Sequence, residues 1–332
     1  MKLMKTVDAV GHVLCHDMTQ IIPGEYKDAR FRKGHVVTPE DIPVLLSMGK
    51  ENLYVWECRP GMLHENDGMT RSAVKEGKIE LTAARNGLFR VNRTALLAIN
   101  SIDEIMIATR HGDTAVRTGD KLCGTRVIPL VIDEKKLEAA EAAAGGRPIL
   151  ELLPYRLKKA AVITTGSEVF HGRIQDRFTP VVAQKLAAFG ITMTEHVTVD
   201  DGMEHLLDAL TAMRQTDVDL ILCTGGMSVD PDDNTPGAIR ASGAQIVTYG
   251  APVLPGAMFL LGYYPGGMPV IGLPGCVMYA AATIFDLVLP RIAAGVRLEK
   301  QDFTVLGEGG LCLGCTPCHY PACPFGKAGG RV

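Results

Sequence analysis

Two stretches decide the fold: AAVITTGSEVFHGRIQDRFTP over residues 160–180 and DLILCTGGMSVDPDDNTP over residues 219–236. Each runs from an apolar segment through a glycine-containing polar turn and an aspartate to Thr-Pro. The apolar segments have the length and composition of buried strands, and Thr-Pro opens a helix, where proline fits the first turn. A strand–turn–helix unit used twice predicts parallel strands joined by crossover helices, with both turns at the carboxyl edge of the sheet, where open α/β sheets bind ligands. Backbone N–H groups and an acidic side chain at that edge suit a phosphorylated ligand held together with a cation.

Outward from these units the alternation continues. Helix TPVVAQKLAAFG follows the first unit, with Val181, Leu186 and Phe189 on one face and Gly190 at its end. Next come strand ITMTEHVTV, helix GMEHLLDALTAMRQ, strand DLILCTG, helix PGAIRASG, and strands QIVTYG and MPVIGLP. Residues 255–258 (PGAM) read as part of a strand, and a long apolar helix is expected from Val277 to about Ala294. The sum is a three-layer α/β/α domain over residues 158–298, near the commonest domain size.

Before it, residues 1–60 form an N-terminal segment containing a turn-rich run, a short helix in TPEDIPVLLSMG with Thr38 as N-cap and Pro39 in its first turn, and strand LYVW. Residues 61–157 form a smaller β-rich or α+β region with runs GLFRVN, EIMIATR and TRVIPLVI, then helix EKKLEAAEAAA ended by Gly145 and Gly146. Residues 299–332 are a Cys-rich tail.

The chain has 332 residues, 47% of them hydrophobic, enough for more than one core. With 34 basic and 37 acidic residues, net −3, it offers no broad basic surface, so neither nucleic acid nor a membrane is expected as a partner. There is no apolar run of membrane-spanning length and no signal-peptide pattern at the N-terminus, which points to the cytoplasm. Nine cysteines in such a setting read as thiols or metal ligands rather than disulfides.

Asp176 and Asp233 are the candidate catalytic carboxylates. A carboxylate beside a phosphate-binding turn can hold Mg²⁺, which takes one or two carboxylates and completes its shell with phosphate oxygens and water. The alternative reading is that each aspartate, with Asp230 and Asp232 beside the second, caps its turn or the helix entrance. Gly225, Gly226 and Ser228 form a turn suited to a phosphate. Arg173 and Arg177 flank Asp176 as anion contacts or surface ion pairs, and His171, His196 and His205 read as structural or solvated.

The order TTGSEV, G-x-I-x-D, TGGMSV with a following D-x-TP, then PG and GLPG before an apolar helix, resembles the molybdopterin-binding domain shared by molybdopterin adenylyltransferases and molybdopterin molybdenumtransferases. The likeness covers about residues 158–295. It implies a three-layer α/β fold that works on the phosphate-bearing dithiolene pterin. On that resemblance Thr165, Gly166, Ser167 and Glu168 are the first cofactor-binding turn and Asp176 the first catalytic acid. Gly225, Gly226 and Ser228 are the phosphate-and-pterin loop, Asp233 is the second acid and a Mg²⁺ ligand, and Pro274 and Gly275 close the other side.

The segment FRKGHVVTPEDIPVLLSMGKENLYVW is similar to the one preceding the catalytic domain of the molybdenumtransferases. The resemblance therefore implies insertion of molybdate into adenylylated molybdopterin with release of AMP, in a homo-oligomer. Alternatives are adenylyl transfer from ATP and a non-catalytic molybdopterin carrier or sensor. Ala257 stands where the molybdenumtransferases usually carry a lysine, and Cys276 where a hydrogen-bonding side chain is usual; Cys276 itself reads as a small buried hydrophobe or a soft contact to metal or sulfur.

Cys312, Cys315, Cys318 and Cys323 have metal-ligand spacing, with the number of thiols that closes a zinc site or an iron–sulfur cluster. Spacing leaves the two open. His319 reads as a bystander, and the tail as a place where a recipient molybdoenzyme or biosynthetic partner could dock.

Overall fold

The computed structural model describes residues 2–14, 18–22, 26–31, 35–56, 68–73, 77–129, 131–228, 230 and 233–327. Asp232 and parts of the turn-rich N-terminal run lie outside them. The chain divides into two compact units, Met1–Ser72 and Ala73–Val332. The β-rich residues from 73 onward, the α/β domain and the tail thus share one unit.

In the first unit, Lys2–Lys5, Asn52–Trp56 and Val13–Leu14 form an antiparallel sheet, and Met18–Ile22 pairs with Tyr26–Phe31. Ala9, Leu14, Val37, Leu45 and Leu53 fill its core. The short helix begins at Asp41, later than the sequence suggested, and Thr38 does not cap it. Instead the Thr38 amide and His35 Nε2 donate to the Asp41 carboxylate at 2.8 and 2.6 Å, because an ionised carboxylate is the strongest acceptor there.

In the second unit, Gly87–Val91 and Ile105–Thr109 are strands where the runs GLFRVN and EIMIATR predicted them, and Glu134–Ala144 is the expected helix, ended by Gly145 at φ 62°. Lys121–Val127 is also a strand, but it takes only Thr125, Arg126 and Val127 of the run TRVIPLVI, and Ile128, Pro129, Val131 and Ile132 lie outside it. Lys121–Val127 pairs antiparallel with both Lys78–Ala83 and Ile105–Thr109, and Gly87–Val91 with both Thr114–Val116 and Leu150–Leu153.

The α/β domain contains strands β1 (Lys159–Thr165), β2 (Thr192–Val199), β3 (Leu220–Thr224), β4 (Gln245–Tyr249), β5 (Leu260–Tyr263) and β6 (Pro269–Leu273). Its helices are α1 (Ser167–Phe170), α2 (Phe178–Ala187), α3 (Met203–Met213), α4 (Thr235–Ala241) and α5 (Ile284–Ala293). The strand order is β2-β1-β3-β6-β5-β4, parallel across β2, β1, β3 and β6, with β5 antiparallel to both neighbours.

Strand alternation makes the three layers. Ala160 and Val162 of β1, with Leu222 of β3, face Val182 and Leu186 of α2 and Phe285, Val288 and Ile292 of α5. Ala161, Ile163, Ile221 and Cys223 face Leu206 and Leu210 of α3 and Ala238 and Ile239 of α4. Apolar residues at successive positions in β1 and β3 are therefore buried on both faces, as central parallel strands require.

Two expectations need correction. Residues 255–258 form a bend and turn before β5 rather than a strand. Gly256 sits at φ +123°, outside the strand region, and a Cβ there would meet Ile284 Cγ2 at 2.5 Å. The apolar stretch from Val277 is not one helix either: a 3₁₀ turn, Gly275–Met278, is separated from α5 by a break. The break is set by Thr283, whose Oγ1 accepts the Phe285 amide at 3.2 Å while its own amide donates to Asp286 at 2.8 Å, starting a new helix.

Candidate functional site

From β1 the chain crosses to β2 on one side, then returns to β3 on the other, so the strand order reverses between β1 and β3. Connections leaving these two carboxyl ends pass to opposite faces and open a crevice between them. A cleft of about 450 Å³ lies there, lined by Thr164 and Thr165 of β1, Asp176, Arg177 and Phe178 at the entrance to α2, Thr224 and Gly225 of β3, and Met278.

Glycine is required at this edge. Gly225 has φ +89°, and a Cβ on it would stand 2.4 Å from Thr165 O and 2.7 Å from Thr165 Oγ1. The two strand ends are also joined by Thr165 Oγ1 donating to Thr224 O at 3.2 Å. On the β3 side, Thr235 donates through Oγ1 to Gly225 O and through its amide to Gly226 O, at 3.0 and 3.2 Å. The Thr of Thr-Pro thus pins the glycine turn to the start of α4.

Asp176 belongs to the cleft and also caps α2. Its Oδ1 accepts the amides of Phe178 and Thr179 at 2.8 and 3.1 Å, and its Oδ2 accepts Thr164 Oγ1 at 3.3 Å. Burial alone pushes this carboxyl up, but hydrogen bonds from Thr179, Phe178 and Thr164 outweigh it and hold the group below its ordinary value. A negative charge is therefore fixed in the cleft at neutral pH. His196 Nε2 lies 3.0 Å from Thr164 Oγ1, 3.3 Å from Thr179 Oγ1 and 3.9 Å from Asp176 Oδ2, a structural network behind that carboxylate.

Thr224 is fully buried, lines the same cleft, and its Oγ1 has no hydrogen-bond partner among the described residues. An unsatisfied buried hydroxyl is destabilising by about 1–3 kcal/mol, so a polar ligand atom reaching it recovers that energy.

Of the residues singled out from sequence, Thr165, Asp176, Arg177 and Gly225 line the cleft together. Gly166, Ser167, Glu168, Gly226, Ser228, Asp233, Pro274 and Gly275 are not among its lining residues. Several are engaged nearby by the chain itself. Ser228 donates its amide to Asp233 Oδ2 at 2.7 Å and its hydroxyl to Asp230 at 3.0 Å. Ser167 donates both amide and hydroxyl to Asp201 Oδ2, at 2.8 and 2.9 Å. The two serine amides expected to meet a ligand are already held by carboxylates.

Asp201 is the residue the sequence reading passed over. It follows β2, and because β2 and β1 are parallel neighbours its turn reaches the same edge. Besides holding Ser167, its carbonyl accepts Asn234 Nδ2 at 2.8 Å, tying the first polar turn to the start of α4. The signal was present as Asp200-Asp201-Gly202, a third acidic, glycine-containing turn after a strand.

Cys276 is half-buried in the 3₁₀ turn, and burial pushes its thiol up, so it remains protonated at neutral pH. Cys312, Cys315, Cys318 and Cys323 are free thiols in the tail. No group of three or more His, Cys, Asp or Glu among the described residues is arranged to hold a single metal ion. A larger cleft of about 860 Å³, lined by Arg90, Arg147, Arg291 and Lys327 among others, contains none of the strand ends discussed above. The smaller cleft is the better candidate because it alone lies at the switch point of the sheet.

A mixed α/β sheet with helices on both faces and an acidic, hydroxyl-lined crevice at its switch point defines a domain of the doubly wound α/β class. Residues 161–294 match the family described as a probable molybdopterin binding domain, and the chain carries a domain of that family. Residues 3–57 match a domain of unknown function, DUF8806. A CinA-like protein of Flavobacterium psychrophilum is 34% identical over 77 residues, 23% of this chain and 18% of that protein. Another, from Desulfosudis oleivorans, is 36% identical over 89 residues, 26% of this chain and 21% of its own length. The chain thus spans about a fifth of the length of these curated relatives.

Among solved structures, the molybdopterin biosynthesis enzyme MoaB of Thermus thermophilus is 20% identical with a TM-score of 0.36, covering 42% of this chain and 98% of its own. CinA of Thermoplasma acidophilum, described as of unknown function, is 19% identical with a TM-score of 0.36, covering 41% and 98%. No helix among the described residues is long and apolar enough to cross a membrane.

Proposed function

We propose that this protein acts in molybdenum cofactor biosynthesis by inserting molybdate into adenylylated molybdopterin, with release of AMP, in the cleft between β1 and β3. The observation that carries this reading is the pairing, in one cleft of a molybdopterin-binding-type domain, of a fixed carboxylate, Asp176, with the buried hydroxyl of Thr224, which lacks a partner among the described residues. Thr224 donates to a phosphate or pterin oxygen, and Arg177 at the rim adds a cation. Asp176 orients a water or one ligand position of Mg²⁺; with a single cleft carboxylate, the remaining positions fall to phosphate oxygens and water, which matches the preference of that ion. Mg²⁺ held there by Asp176 would supply charge neutralisation to the phosphate.

Asp233 acts one step back in this reading, holding the Ser228 amide and so the shape of the glycine turn. The reading is tested by incubating the purified chain with adenylylated molybdopterin, molybdate and Mg²⁺ and measuring AMP. Asp176→Asn keeps an acceptor oxygen for the α2 amides but loses the charge, and AMP release should fall at least ~100-fold while pterin remains bound. Undiminished AMP release by that variant contradicts the role of Asp176. Release of pyrophosphate from ATP with unadenylylated molybdopterin identifies adenylyl transfer instead.

A second reading, a carrier or sensor that binds molybdopterin without turnover, is favoured by Ala257 at the position where the molybdenumtransferases carry lysine. It gives bound pterin and no AMP.

A further inference from the structure

The tail is sewn onto the α/β domain at both ends. Leu254 donates its amide to Gly310 O and accepts that of Cys312 at Leu254 O, each at 2.8 Å, making a parallel bridge between Leu254 and Leu311. Farther on, Gly326 N donates to Gly309 O at 3.0 Å, Tyr320 OH donates to Asp286 O at 2.9 Å, and Phe325 is 3% exposed in the main core. A segment of small residues, prolines and cysteines with little regular secondary structure is thereby held in a defined shape.

That shape encloses a cavity of about 290 Å³, and Cys312, Cys315, Cys318 and Cys323 all line it. Leu311, Leu313, Tyr320 and Phe325 supply its apolar walls. Size distinguishes the two metal chemistries left open by cysteine spacing. A zinc ion takes four sulfurs at about 2.3 Å, so its thiolates must draw together to a point, whereas a polynuclear core needs them spread around a volume. Here the thiols surround a space the size of roughly ten water molecules, at ~30 Å³ each. No three of them converge as a single-ion site. A space bounded by four thiols suits a polynuclear core whose iron atoms lie at its corners.

We propose that the tail binds a [4Fe–4S] cluster through Cys312, Cys315, Cys318 and Cys323. Ligation is substitution: each thiol loses its proton as one S–Fe bond forms, and a cluster delivered whole leaves the thiolates of its donor with no electron transferred. Tyr320 and Phe325 close the cavity on the side of the core, while Cys315 and Cys318, both exposed, mark the side from which the cluster enters. The segment following β6 carries Met278 of the β1/β3 cleft and Ala282 of this cavity, so the cluster is fixed to the same backbone that walls the candidate pterin site. The assignment stands independently of the pterin reading, since neither the cavity nor its ligands depend on what the cleft binds.

The test is metal analysis of the full chain purified without oxygen, with reconstitution by equal ferrous and ferric iron and matching sulfide. About four irons and four acid-labile sulfides per chain are expected, with a visible absorption that bleaches on reduction and a paramagnetic signal in the reduced protein. Cys315→Ser and Cys318→Ser should each lower iron content at least ~2-fold, and Cys123→Ala, a buried thiol remote in sequence, should not. Far-UV circular dichroism separates ligand loss from misfolding, and the iron content of the unaltered chain decides the matter even if a variant does not fold. Stoichiometric zinc without iron, a chain that stays iron-free after reconstitution, or full iron in folded Cys315→Ser and Cys318→Ser overturns the assignment.

Discussion

Replacing Gly225 with alanine tests whether the close approach of β1 and β3 builds the cleft. Two terms add at this position. Backbone at φ +89° carries strain of about 1–2 kcal/mol for an L-residue. The new Cβ would also lie 2.4 Å from Thr165 O, a backbone atom in a central strand that cannot swing aside, and overpacking of this kind is destabilising by about 1–3 kcal/mol. The total is about 2–5 kcal/mol.

Gly266 is the control. It has φ +98°, but a Cβ added there would meet nothing within 4 Å, so Gly266→Ala should show only the strain term. The difference, about 1–3 kcal/mol, corresponds to roughly 2–12 °C in thermal midpoint for a unit of this size. The assay is thermal unfolding of both variants by circular dichroism, with urea midpoints alongside. Equal midpoints for Gly225→Ala and Gly266→Ala would refute the claim that the strand ends are packed against each other. A shift confined to Gly225→Ala, accompanied by weaker pterin binding, would tie that packing to the ligand.

Three further outcomes follow from the hydrogen bonds at the same edge. Asp201→Ala removes the acceptor of both Ser167 bonds and should destabilise by about 1–3 kcal/mol in urea unfolding while also weakening pterin binding; a loss of stability alone would leave Asp201 a purely structural residue. Thr283→Ala removes the cap of α5 and should lower stability by about 1 kcal/mol. Asp176 has a folded value held below 3.8, so the stability it contributes is fully present at neutral pH and is lost as pH falls through that lowered value. The stability gap between the unaltered chain and Asp176→Asn should therefore be constant from pH 7 to about 4 and narrow below it; a gap that changes near neutrality would contradict a depressed carboxyl.

The sequence by itself determined the local units. Uninterrupted apolar runs such as AAVIT and LILC have the length and composition of strands buried on two faces, and Thr-Pro after an aspartate fits a helix start, so β1, β3, α2 and α4 were legible. Gly225 was legible as a place of close approach, and Asp176 as a helix-entrance acceptor, because both properties are set within a few residues. The antiparallel β5 was not foreseen, since strand direction depends on which neighbour accepts it rather than on its own composition. Nor was the break before α5, because Val277 to Ala294 stays apolar while Thr283 and Asp286 divert the backbone with two hydrogen bonds.

Only the tertiary structure decided which polar groups meet. Parallel pairing of β1 with β2 carries Asp201 to Ser167 across 34 residues of chain, an encounter no local pattern encodes. Likewise, spacing brought four cysteines into one tail, but whether they enclose a point or a volume is set by where Leu254, Asp286 and the core around Phe325 anchor that tail. Short-range sterics and burial fix the elements; long-range pairing fixes the site.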